Sequence, residues 1–172
     1  MAELRIRPAR LDEAETVSTM FEDRTRWLID RGIRQWMLGW RTPAWCRESI
    51  RRGELYVAID RTGVLATFLL ADTDVAFGER PPDALYLQGL CVRHSASGRH
   101  LGERIVAWCE EHTRDAGRDY LRLDCVADNP FLNAYYQRLG FTALGTYVYD
   151  LPSGPLPCTL YEKPITAGSE LR

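Results

Sequence analysis

The stretch Leu85–Val106, LYLQGLCVRHSASGRHLGERIV, decides the reading of this 172-residue chain. Leu85, Leu87, Leu90 and Val92 are apolar and Gly89 breaks their alternation, so the segment reads as a strand with a bulge or a close backbone approach at Gly89. His94–Gly98 is a loop of small and polar residues. Leu101, Ile105 and Trp108 then return at helical spacing. A loop that feeds the start of a helix aims unpaired N–H groups outward, at an end of partial positive charge. The guest suited to that end is a phosphate or another anion.

Upstream, Glu3–Arg7 alternates as a short strand that ends at Pro8. From Leu11 a helix carries Asp12 and Glu13 in its first turn, shows Ala14, Val17, Phe21 and Leu28 on one face, and stops at Gly32. Thr42-Pro43 starts a second helix that runs to Arg52 and stops at Gly53. Glu54–Asp60 and Val64–Ala71 are two strands joined by the turn Arg61-Thr62-Gly63. Asp72–Pro82 reads as an exposed loop before the strand Ala84–Val92. Downstream, the central helix ends near Gly117, and Asp119–Val126 is a strand with Leu121 and Leu123 on one face and Asp124 on the other. Asp128-Asn129-Pro130 opens a helix with Phe131, Ala134, Tyr135 and Leu139 on its apolar side, closed by Gly140. Phe141–Leu151 is a strand, Pro152–Pro157 a loop and Cys158–Lys163 a last strand. The order β-α-α-β-β-β-α-β-α-β-β predicts a mixed α/β domain over residues 1–163, with a right-handed βαβ step around the central helix. Residues 164–172 read as a loose C-terminal tail.

Two motifs resemble the GNAT family of N-acetyltransferases. The family's Q/R-x-x-G-x-G/A pattern falls on Ser97, His100 and Gly102; Gly102 matches, and Ser97 and His100 depart from it. In LRLDCVADNPFLNAYYQRLGF, the intervals from Asn129 to Tyr136 and on to Gly140-Phe141 match the family without insertion. The order of elements extends the resemblance over nearly the whole chain. It implies the GNAT fold, acetyl-CoA as acyl donor, no metal, and transfer to a primary amine of a small molecule, peptide or protein by direct attack in a ternary complex. It also implies that the backbone of Leu90, Cys91 and Val92 pairs with a pantetheine arm, with an N–H near Leu90 facing the thioester oxygen. The N–H groups of Gly98, Arg99, His100, Leu101, Gly102 and Glu103 would hold the pyrophosphate, and Asn129 would contact the arm.

Several side chains carry two readings each. Tyr136 is the general acid that protonates the departing thiolate, or it packs on the sheet; Tyr135 is taken as the packing residue of the pair. Asp124 is the base for the attacking ammonium, or a solvent-facing or salt-bridged strand carboxylate. His100 contacts a phosphate, fitting if its φ is helical, or is solvated; Arg99 pairs with the 3′-phosphate or is solvated. Gln88 has no basic group but can orient a water. Trp27, Trp36, Trp40 and Trp45 cap the core or form an aromatic wall for the acceptor, with Trp27, Gln35 and Trp36 the candidates for substrate contact and an apolar or aromatic amine the acceptor they fit.

Bulk properties bound the rest. Hydrophobic residues make up 45%, charged residues 27%, and the net charge is −2, which argues against nonspecific nucleic-acid binding. Five scattered Cys without a C-x-x-C pair predict a reducing, cytoplasmic setting rather than disulfides or a zinc site, and Cys91 and Cys125, in apolar strand patterns, read as buried thiols. No apolar run predicts a membrane span. A homodimer is left open. The rival from another class is a non-catalytic acyl-CoA-binding sensor or interaction module, which has no need of an acid at Tyr136. A phosphate enzyme of the Walker type is excluded, since no Lys follows Gly98-x-x-x-Gly102.

Overall fold

Residues 4–165 are described by the structure, a computed structural model; the expected tail lies almost wholly outside them. Seven strands and four α-helices follow the predicted order: β1 (Arg5–Pro8), α1 (Ala14–Asp30), α2 (Pro43–Arg51), β2 (Leu55–Asp60), β3 (Gly63–Ala71), β4 (Ala84–Val92), α3 (Leu101–Asp115), β5 (Tyr120–Val126), α4 (Pro130–Arg138), β6 (Thr142–Leu151) and β7 (Gly154–Pro164). Hydrogen bonding orders the strands β1-β2-β3-β4-β5-β7-β6. The chain divides into two compact units, residues 1–70 with 88–105, and residues 71–87 with 106–172.

In the first unit β1, β2 and β3 form an antiparallel meander, with Ile6 opposite Ala58 and Tyr56 opposite Phe68. The apolar face of α1 is buried as its periodicity requires: Ala14, Val17, Phe21 and Leu28 are all inaccessible, together with Met20. Ala14, Val17, Met20 and Phe21 pack with Cys46, Leu55, Val57, Leu69 and Cys91 into one core. Thr42 caps α2, its hydroxyl accepting from the Trp45 N–H at 3.2 Å with Pro43 in the first turn.

In the second unit β4 and β5 run parallel, Ala84 beside Tyr120 through Leu87 beside Leu123. β7 pairs antiparallel with β5 and with β6. Arg122, 3% exposed, joins β4, β5 and β7: its guanidinium donates to Asp83 Oδ1 at 2.8 Å, Glu162 Oε2 at 2.6 Å and the Tyr86 hydroxyl at 3.1 Å. All five Cys are free and buried, Cys91 and Cys125 as their apolar strand patterns predicted.

The structure corrects several expectations. Asp72–Pro82 is not a wholly exposed loop: Asp74 caps a turn of 3-10 helix at Val75–Phe77, and Ala76 and Phe77 pack on Ala84, Tyr86 and Leu160. The last strand begins at Gly154 rather than Cys158, because the β6–β7 hairpin turns on Pro152-Ser153. Pro155 and Pro157 are tolerated there, since the β5 ladder starts only at Cys158. On α3 it is Val106 and Cys109 that join Leu101 and Ile105 in the interior, while Trp108 is half-buried. On α4 Phe131 is 74% exposed and Ala134 is also exposed, whereas Tyr136 is buried and Tyr135 only half so, reversing the expected packing roles of the two tyrosines.

Candidate active site

In the first unit, two residues beyond the β4–β5 ladder, Gly89 leaves the extended conformation at φ +59. A Cβ there would stand 3.1 Å from Arg41 Nη2 and 3.3 Å from Leu69 Cδ1, so this point of β4 admits only a bare backbone. Leu90 and Val92 are half-buried and Cys91 is buried, its thiol donating to Met20 O at 3.5 Å and pushed up to about 11 mainly by burial. The expected free backbone is not free throughout: the Val92 carbonyl accepts from the Arg24 guanidinium, and the Arg93 N–H donates to Leu65 O at 2.8 Å.

The chain then makes a 3-10 turn at His94–Ala96, reaches Gly98 at φ +76, and enters α3 through His100 at φ +54. The helical φ that was the condition for a His to fit at this position is therefore not met. The residue holds the left-handed conformation that a glycine adopts without cost, and its imidazole is exposed beside Glu103, 3.4 Å away. Arg99 is engaged rather than merely solvated, at 3.1 Å from Asp60 Oδ2. Leu101, Gly102 and Glu103 occupy the first turn of α3, where N–H groups have no acceptor inside the helix. Two left-handed residues followed by a helix start form a concavity of N–H groups that suits a phosphate.

The aromatic residues of this unit sort themselves. Trp36 and Trp45 pack on the core, each edge-on to Phe21, at 5.7 and 6.3 Å between centroids. Trp27 lies against His94 at 5.0 Å, with Arg31 over its ring at 4.0 Å, and Trp40 is exposed. Gln35 and Gln88 are half-buried. The residue that sequence reasoning missed is Arg41, whose guanidinium stands 4.5 Å from both Phe21 and Trp36 and 5.8 Å from Trp45. Its place inside WRTPAW, between two tryptophans, is the one signal that could have drawn attention to it.

In the second unit, β5 hands over to α4 through Asn129, whose side-chain oxygen caps the helix by accepting from the Leu132 N–H at 3.1 Å. Four residues on, Asn133 ties the same junction together: its Nδ2 donates to Val126 O at 3.0 Å and Asn129 O at 2.8 Å, and its Oδ1 accepts from the Tyr161 hydroxyl at 2.7 Å. The spacing Asn129-x-x-x-Asn133 was the available signal for this clasp. Asp124 is half-buried, and no salt bridge to it is formed among the described residues. Burial, and then the nearby Asp74 carboxylate, push it up to about 6, against hydrogen bonds from the Cys158 thiol and the Tyr149 hydroxyl. Tyr136 packs edge-on to Tyr135 at 5.2 Å and Phe141 at 5.9 Å. Burial raises its phenol well above the ordinary value, and the neighbouring Cys125, Tyr135 and Asp124 push the same way, so it keeps its proton across the neutral range. The unit thus holds a carboxyl that changes charge just below neutral pH and a phenol that stays protonated. These are the properties wanted of a base and an acid.

A model of the acetyltransferase (GNAT) family matches residues 17–141. The uncharacterized N-acetyltransferase YesJ of Bacillus subtilis is 29% identical over 168 residues, covering 93% of this chain and 89% of that protein. A GNAT-family acetyltransferase structure from Listeria monocytogenes superposes with a TM-score of 0.75 at 24% identity, over 95% of each chain. YncA of Salmonella typhimurium, a putative acetyltransferase solved with its cofactor acetyl-CoA, gives 0.69 at 14% identity, over 96% of each chain.

Proposed function

The chain belongs to the acetyltransferase (GNAT) family, and from that premise we propose that it moves acetyl from acetyl-CoA to a primary amine by direct attack in a ternary complex. The observation that carries this reading is the place of Asp124, a half-buried carboxyl on the strand that leads into the helix of Tyr136, where desolvation and the nearby Asp74 push it up to about 6. An ammonium must lose a proton before its nitrogen can attack a thioester, the attacking nitrogen sheds another as the amide forms, and a base titrating near 6 is ionised at neutral pH and can take a proton from that nitrogen. Attack forms the C–N bond and breaks the C–S bond. Tyr136 returns a proton to the departing sulfur, and Asp124 takes the one released from nitrogen.

The first unit would bind the donor. The pantetheine arm pairs with the backbone of Leu90, Cys91 and Val92 as an added strand would, and the N–H near Leu90 stabilises the oxyanion. The N–H groups from Gly98 to Glu103 hold the pyrophosphate, a role that needs backbone rather than side chains. It is supported by the left-handed conformations of Gly98 and His100. Asn129 contacts the arm. Trp27, Gln35, Trp36 and Gln88 contribute to the acceptor side.

Free-thiol release from acetyl-CoA, measured over a panel of primary amines with mass-spectrometric identification of the product, tests the reading. Thiol release that depends on the amine, matched by an N-acetylated product, supports it. Binding of acetyl-CoA without amine-dependent release would favour the sensor reading instead.

A further inference from the structure

Arg41 is a half-buried cation that has no counter-anion among the described residues. It stands just before the cap of α2, its guanidinium packed among the rings of Phe21, Trp36 and Trp45. The ionisable groups that bear on it are the thiols of Cys91 and Cys46, both pushed up to about 11, chiefly by burial, and therefore neutral. Among the described residues its guanidinium has no hydrogen-bond acceptor and no carboxylate. Burial lowers its pKa to about 10, still far above neutral, so the charge remains. Aromatic faces offset part of the desolvation, but they leave the five in-plane N–H donors of a guanidinium unused.

The group is also open and well placed. Among the described residues no side-chain nitrogen is both sealed from solvent and unpaired, so the nitrogens of Arg41 keep access to open space. Nη2 lies where the missing side chain of Gly89 leaves room, at the break in β4 between Gln88 and Leu90. Those are the residues to which the proposed function gives the acceptor and the thioester oxygen.

From this placement we infer that Arg41 anchors a carboxylate, or an oxyanion of like size, on the acceptor amine. The acceptor class is then an amino acid or a related amino acid-like amine, its apolar or aromatic body lying against Trp36 and Trp45. The inference deepens the proposed N-acetyltransfer and rests on it. A planar fork of donors matches a carboxylate in two parallel hydrogen bonds, and the aromatic surround keeps water from competing. The same chemistry would be met by the free acid end of a dicarboxylic acyl group on the donor, so the experiment separates the two sources.

Thiol release is measured with matched acceptors that differ only in the carboxylate: phenylalanine against phenethylamine, and tryptophan against tryptamine. Each is run with acetyl-CoA and with succinyl-CoA, in the wild-type protein, Arg41→Met and Arg41→Lys. The wild type should favour the carboxylated member of a pair by at least about thirtyfold in kcat/KM, as expected for a buried charge pair. In Arg41→Met that ratio should fall towards one, and Arg41→Lys should recover only part of it. Removing an unpaired, half-buried charge should leave the ligand-free Arg41→Met protein at least as heat-stable as the wild type, a sign that a structural role would reverse. Equal use of both members by the wild type, or an undiminished ratio in Arg41→Met, overturns the inference. So does a preference that follows succinyl-CoA over acetyl-CoA whatever the acceptor. If no amine is acetylated, the parent reading fails instead. Arg41 is then judged by calorimetry with 3-phenylpropionate: heat in the wild type that is lost in Arg41→Met keeps the anion site, and no heat in the wild type removes it.

Discussion

Arg122 and Arg41 stand in different compact units, the first buried and the second half-buried, and their surroundings are opposite. Arg122 in β5 is met by Asp83, Glu162 and the Tyr86 hydroxyl, all at hydrogen-bonding distance, and its pKa is raised. Arg41 is met by three aromatic rings and two neutral thiols, and its pKa is lowered to about 10. A guanidinium whose partners come with the fold is part of the scaffold. One whose partners are missing stores an unmet electrostatic demand, and such demands gather where a protein binds or transforms something else. The same division separates other polar groups. The Asn133–Tyr161 clasp is satisfied, whereas Asp124 is held near another carboxylate and His100 is held in a backbone conformation that suits glycine.

The comparison can be broken first at its settled end. Arg122→Met strands the Asp83 and Glu162 carboxylates, which are only partly exposed. It should cost about 3 kcal/mol, read as a urea-midpoint shift or a fall in Tm of roughly 6–12 °C. A loss as small as that of Arg41→Met would erase the distinction between the two arginines.

Tyr136→Phe keeps the ring contacts with Tyr135, Phe141 and Tyr161 and removes only the proton donor. In steady-state kinetics kcat should drop about 10²- to 10³-fold with KM for acetyl-CoA little changed. Full turnover would return Tyr136 to a packing role.

Asp124→Asn probes the carboxyl through stability. Its folded pKa of about 6 lies above the ordinary carboxylate value, so between about pH 4 and 6 the folded chain binds a proton that the unfolded chain has released. The stabilisation is full below that window and is lost as pH rises through it. Asparagine has no charge to bury, so the variant should gain about 1–3 kcal/mol at pH 7 in chemical unfolding, and nothing at pH 4. The smallest effect is expected at His100: His100→Gly relieves the left-handed φ and should add about 1 kcal/mol, or 2–4 °C in Tm, with affinity for CoA retained.

Local chemistry was legible in the sequence. The bounds of β4, the break at Gly89, the Thr42-Pro43 start of α2 and the Asn129-Pro130 start of α4 all depend on residues within a turn of one another, and the structure bears them out. What escaped depends on contacts across the chain. Arg41 is distinctive because of Gly89 and Phe21, and Asp124 because of Asp74 and Tyr149; no spacing rule encodes those meetings. Helix α4 spans only nine residues, too few turns for periodicity to tell whether Tyr135 or Tyr136 faces inward. The left-handed backbone at His100 was not legible either, because nothing in the side chain of a histidine marks a position that suits glycine.

In the proposed acetyl transfer the half-buried carboxyl of Asp124 takes the proton from nitrogen. The most direct test is the pH dependence of kcat, at saturating acetyl-CoA and amine so that the free amine's own ionisation drops out, in the wild type and Asp124→Asn. The account predicts a wild-type kcat that rises with pH through about 6 and levels above it, and a variant that is slower throughout and lacks that limb. A variant that kept both the rate and the limb near 6 would contradict it.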